Sequence, residues 1–204
     1  VMARAESTRL LMWKWGVPYE DVRMTGPEWG KMKAEIAPQG HGGMPILELP
    51  DGKKLSQTAA INNYIATMAK LHPTDPKDVF KGEILFECFI RDGTKIWTPA
   101  GKLPADEPER SEAMKEKKEV IWPTMIKAFE RYMPDDKKFI AGDTMTTHDY
   151  TTGIFLINVF KNPKRHDKDF WDELWALAPQ RMVTYVDDVQ KEIRGFLDSD
   201  KRQE

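Results

Sequence analysis

Two dipeptides thirteen residues apart, Met44-Pro45 and Gln57-Thr58, carry the most specific chemistry in this sequence. Pro45 falls at the start of the apolar run MPILEL (44–49), where a residue without an N–H is tolerated only at the end or edge of a strand. A cis Met44-Pro45 bond would turn the chain sharply and leave the Met44 backbone free to pair with an extended peptide, as an added strand does. Gln57-Thr58 falls where a helical pattern begins, so side-chain donors and amide N–H groups gather at the positive end of a helix dipole, which favours a carboxylate. Together they predict a small extended peptide with a free α-carboxylate as ligand. In the competing view Pro45 only shapes a turn and Thr58 only caps its helix.

Other stretches carry less. GHGG (40–43) is too short for a dinucleotide fingerprint and no helix follows it, and Gly101-Lys102 lacks the glycine spacing and the Ser/Thr of a phosphate loop. His148-Asp149 resembles half of an acid/base or metal pair. Thr146 with Asp149 three residues on, flanked by Met145 and Tyr150, fits better as a capping box with a hydrophobic staple. KNPKRHDKD (161–169) reads as a solvated loop, and Trp171, Leu174 and Trp175 read as core. The four histidines are scattered, so no metal site is expected.

The elements that must position these groups follow from periodicity. ESTRLLMWKWG (6–16) predicts a helix stopped by Gly16, VPYEDVRM (17–24) a strand, and GPEWGKMKAEIAP (26–38) a short helix closed by Pro38. Strands 44–49 and 53–56 flank Asp51-Gly52, a two-residue hairpin signal. From Thr58 to Lys70, Ala60, Ile61, Tyr64, Ile65 and Met68 recur at helical spacing. LHPTDPKD (71–78), with its two prolines, reads as a linker. Beyond it everything is helical: 80–97, an interruption at 98–108, a long charged helix at 109–132 that Pro123 should kink, an apolar helix after the capping box, and one or two more between 168 and 197. The expected domains are 1–70, with α and β elements, and 79–204, all helical.

Composition bounds the partners. With 204 residues, 40% hydrophobic and 31% charged, the chain can bury one good core or two smaller ones. A formal charge of -2 gives no electrostatic reason for nucleic acid or an anionic membrane as partner. No run is long enough to span a membrane, and the lone Cys88 fits a reducing compartment, so a cytoplasmic location is expected.

The sequence resembles the glutathione transferase family along nearly its whole length. ARAESTRLLMWKWGVPYEDVRM is similar to the family's first helix and second strand, the stretch from GMPILEL to INNYIA to its cis-proline strand, hairpin and third helix, and FIAGDTMTTHDYTTG to its capping-box helix. Among the classes it is most similar to the sigma-like, tyrosine-type pattern. The resemblance implies an α+β thioredoxin-like N-terminal domain that holds glutathione, then an all-α domain that supplies the second-substrate pocket. Carried over by position, Gln57 and Thr58 would hold the γ-glutamyl end, Met44 ahead of Pro45 would pair with the cysteinyl backbone, and Trp29 and Lys33 would meet the glycyl carboxylate. Arg4 would lie beside the thiol, and Asp92 would reach the γ-glutamyl amine bound to the neighbouring subunit of a homodimer.

Three departures accompany the likeness. Gly43 stands where the family carries a Gln or Lys for the glycyl end, Met2 and Ala3 replace the usual Arg-Gly, and the first strand with its catalytic tyrosine is expected to lie before residue 1. Removing a central strand would strand buried N–H and C=O groups at about 1–3 kcal/mol each, so a preceding segment, or a strand from another chain, is expected to complete the sheet. The expected activity is conjugation of glutathione to a small electrophile, or a sigma-type isomerisation. The alternatives are a catalytically silent structural or assembly subunit of the same fold, favoured by Gly43, Ala3 and Met2, and a thioredoxin-like oxidoreductase, which needs a cysteine that Cys88 is badly placed to supply.

Overall fold

The computed structural model describes residues 4–37, 42–93, 107–165 and 167–202. Met2, Ala3, the glycine-rich loop up to His41 and most of the interruption at 98–108 lie outside them. The chain divides into two compact units, Val1–His72 with Gly195–Glu204, and Pro73–Arg194.

The first unit is α+β. Helix α1 (Ala5–Trp15) ends at Gly16, whose φ of 75° gives the left-handed turn that glycine takes without steric cost. Helix α2 (Gly26–Ile36) follows, then strands β1 (Ile46–Glu48) and β2 (Lys54–Ser56), and helix α3 (Thr58–Met68). The hairpin is one residue longer than the Asp51-Gly52 signal predicts. Leu49 N–H still bonds Lys53 O at 2.8 Å, so Pro50, Asp51 and Gly52 form a three-residue loop with Gly52 at φ 82°. Residues 17–24, predicted as a strand, join no ladder: the two strands among the described residues pair only with each other, and alternation without a neighbour makes no sheet. Arg9 and Arg23, both on Asp21, tie that segment down instead.

The core of this unit lies between α1 and α3, where Leu10, Leu11, Ile61 and Ile65 are fully buried. A short polar chain crosses the same contact. Asn62 donates to Ser7 Oγ at 2.9 Å and accepts from Thr8 Oγ1 at 2.8 Å. The last described residues also belong here. Phe196 is fully buried edge-on to Trp13, with ring centroids 5.9 Å apart, and a side chain at Gly195 would press on the Trp13 ring. The sequence places this segment in the helical half, because its apolar spacing marks a buried helix face without saying what that face meets.

The second unit is all helical. Helix α4 (Pro76–Phe86) is capped by Asp75, which accepts from Lys77 N–H, so the predicted linker already contains the first helical turn, with Pro76 where its missing N–H does no harm. It widens into a π-helical turn at Glu87–Asp92. Helices α5 (Pro108–Glu116) and α6 (Trp122–Tyr132) form one rod joined by a π turn at Lys117–Ile121, which accommodates Pro123 at the start of α6. Helix α7 (Thr147–Leu156) is buried at all ten positions, the signature of a central helix. Helices α4 and α9 (Gln180–Glu192) pack against it, so closely that Cβ atoms at Gly82 and Gly153 would meet His148 and Val189 at 2.2 and 2.5 Å. Helix α8 (Lys168–Trp175) adds Trp175 to an aromatic cluster with Trp122 and Phe160, and a short last helix, α10 (Arg194–Leu197), leads back into the first unit.

Candidate functional site

The register of the hairpin builds the candidate site. Ile46 stands opposite Ser56, Leu47 opposite Leu55 and Glu48 opposite Lys54. Beyond this three-rung ladder, at the end away from the turn, the next residues are therefore Met44-Pro45 on one strand and Gln57-Thr58 on the other. The Met44-Pro45 bond is cis and Met44 is 52% exposed.

Gln57 has φ 73° and ψ 117°, a conformation that costs a non-glycine residue about 1–3 kcal/mol. Its carbonyl accepts Ile61 N–H at 3.0 Å and so begins α3, but its exposed side chain makes no capping bond. The N–H groups of Thr58, Ala59 and Ala60 precede the first intrahelical donor, Ile61 N–H. A strained glutamine with an uncommitted amide, next to helix N-terminal donors and an exposed strand end, can bind an extended peptide and a carboxylate together.

The other predicted residues lie on other elements. Trp29, half-buried, and Lys33, exposed, are four residues apart on one face of α2. Arg4 is exposed just before α1, and its carbonyl accepts from Ser7 Oγ at 3.3 Å. Asp92 is exposed at the end of the π turn of the second unit. Register unites Met44-Pro45 with Gln57-Thr58, and helical spacing unites Trp29 with Lys33; Arg4 and Asp92 are placed singly.

His148 and Asp149 are not a chemical pair. His148 faces Glu83 at 3.3 Å, whereas the Asp149 carboxylate accepts Ile140 N–H and Thr146 N–H at 2.9 Å each, the Thr146 hydroxyl at 3.0 Å and the Tyr185 hydroxyl at 3.2 Å. Complete burial pushes the Asp149 carboxyl up despite these four donors. The Cys88 thiol is also pushed up, first by burial and then by Asp92 and Glu87, which makes it a poor nucleophile. Among the described residues no group of His, Cys, Asp and Glu is arranged to hold a metal, and no helix is long and apolar enough to cross a membrane.

Two features are not signalled by apolar periodicity. Thr25 and Glu28 form a second capping box at the start of α2, which the T-x-x-E spacing signals. Glu6, Arg9, Asp21 and Arg23 form a charge chain, with Glu6 only 1% exposed. Burial raises the Asp21 carboxyl, but hydrogen bonds from Arg23 and Arg9 outweigh it and hold the group below the usual carboxylate range.

Residues 1–67 match the glutathione S-transferase N-terminal domain family. A glutathione S-transferase of Anopheles gambiae is 39% identical over 75 residues, covering 37% of this chain and 35% of that protein. The hematopoietic prostaglandin D synthase of Gallus gallus is 29% identical over 152 residues, covering 72% of this chain and 69% of that protein. In structure, rat hPGDS complexed with a quinoline superposes with a TM-score of 0.74 at 20% identity, over 97% of this chain and 91% of that one. Residues 1–67 belong to the glutathione S-transferase N-terminal domain family, and the chain has the glutathione S-transferase fold.

Proposed function

We propose that the protein is a glutathione transferase of the tyrosine type, similar to the sigma-like classes, that activates the thiol of glutathione for attack on a small electrophile. The observation that supports this best is the ladder register, which sets Met44-Pro45 and Gln57-Thr58 side by side at one end of the hairpin. In this reading the Met44 backbone pairs with the cysteinyl part, Gln57 and the α3 N-terminus take the γ-glutamyl end, and Trp29 and Lys33 take the glycyl carboxylate. Arg4 stabilises the thiolate electrostatically. A free thiol has a pKa of about 8.5, so lowering it toward neutrality raises the reactive fraction severalfold. The thiol gives up its proton, sulfur bonds to the electrophilic carbon, and the leaving group departs with its electron pair. A homodimer, with Asp92 reaching the partner's ligand, and a cytoplasmic location complete the proposal.

One observation favours the silent-subunit alternative. Gly43 presents no side chain where the resemblance puts a Gln or Lys, so the glycyl clamp is thinner. Titration calorimetry with reduced glutathione, followed by turnover with chlorodinitrobenzene, separates the readings. Binding with turnover is the expected result. Binding without turnover, or no binding by the folded protein, overturns the enzyme and selects the silent subunit.

A further inference from the structure

Helix α2 carries Trp29 and Lys33, yet of its 11 residues only Ile36, the last, is buried. A helix this short is marginal in water without packing, so something else must fix the turns that bear these two side chains. The capping box does so. Thr25 donates both its N–H and its hydroxyl to Glu28 Oε2, each at 2.7 Å, the Glu28 N–H returns to Thr25 Oγ1 at 3.5 Å, and the Trp29 N–H bonds Thr25 O at 2.9 Å. Pro27 presets the first turn, and the Glu28 charge complements the helix dipole. Glu28 is exposed, so no core packing explains its place.

We infer that Thr25 and Glu28 are positioning residues, which hold the first turns of α2 so that Trp29 and Lys33 present a preformed clamp to the glycyl carboxylate of glutathione. This rests on the proposed reading that Trp29 and Lys33 meet that carboxylate. It assigns a ligand-binding consequence to a box that touches no ligand. The clamp is a cooperative unit: loosening its first turn costs affinity for the carboxylate while leaving contacts to the rest of the peptide alone.

The test compares two ligands, reduced glutathione and its glycine amide, in which a carboxamide replaces the glycyl carboxylate. Calorimetry on the wild type, Glu28→Ala, Thr25→Ala and Glu28→Gln gives the affinities, and circular dichroism checks that each variant is folded. Glu28→Ala and Thr25→Ala are expected to weaken glutathione binding about three- to tenfold, the effect of losing a typical cap, with amide binding unchanged. Glu28→Gln, whose amide oxygen can accept the same bonds, is expected to keep most of the affinity. Equal weakening for both ligands, or no weakening in a folded Glu28→Ala protein, overturns the inference while the function stands. A wild type that binds no glutathione overturns the function itself, and the inference with it.

Discussion

Gln57 trades stability for presentation. A side chain at φ 73° is held against its preference, and glycine at that position carries no such penalty. Gln57→Gly is therefore expected to raise the unfolding midpoint while losing glutathione affinity. Gln57→Ala keeps the backbone penalty and should lose about 1.5–3 kcal/mol of binding, as for a hydrogen bond to a charged group, with little change in stability. Thermal unfolding and calorimetry on the same samples read both quantities, and a glycine variant that binds glutathione undiminished removes Gln57 from the site. The position of Gln57-Thr58 at a helix start was legible from the apolar period that follows it. The backbone conformation was not, because glutamine carries no turn signature; it is set by the passage from β2 into α3. Asn62 was hidden for the opposite reason, as a polar residue on the Ile61–Ile65 face whose partners Ser7 and Thr8 lie more than fifty residues away.

Capping, more than propensity, decides the elements here. Asp149 holds the start of a wholly buried helix with one carboxylate that serves four donors, two of them backbone N–H groups. Asp149→Ala would leave those donors buried and unmatched, and a loss of at least about 3 kcal/mol is expected in denaturant unfolding. A second prediction concerns the segment held by Asp21. Its carboxyl sits below the usual range, so its contribution is present at pH values above the ordinary carboxylate pKa and is lost as pH falls through the lowered folded value. Stability measured across the acid limb should fall less steeply in Asp21→Asn, and an unchanged slope would show that Arg9 and Arg23 gain nothing from the charge. The capping box at Thr146 and the stop at Gly16 were readable because each is local in sequence. The strand expected at 17–24 misled, since its alternation is real but a ladder is a property of two segments.

At the scale of the molecule, the division falls between His72 and Pro73, with the end of the chain returning to the first unit. Phe196 and Leu197 are buried there, so deleting residues 195–204 should destabilise the first unit by about 3 kcal/mol or more, in line with the loss of a large buried side chain. Hydrogen exchange should then quicken in α1 and α3 while α7 stays protected; equal protection of α1 before and after deletion would show that the tail only rests on the surface. The sequence changes from a mixed to a helical pattern near the prolines at 73 and 76, but no local signal reports a contact between Trp13 and Phe196. That contact has a consequence for how the protein is made. A chain emerging from the ribosome delivers residues 4–72 well before residues 195–202, which join the same core only after the whole second unit has been synthesised. The N-terminal unit therefore waits, with the Trp13 side of α1 uncovered, and its completion is a late, long-range closure that carries a loop-entropy cost.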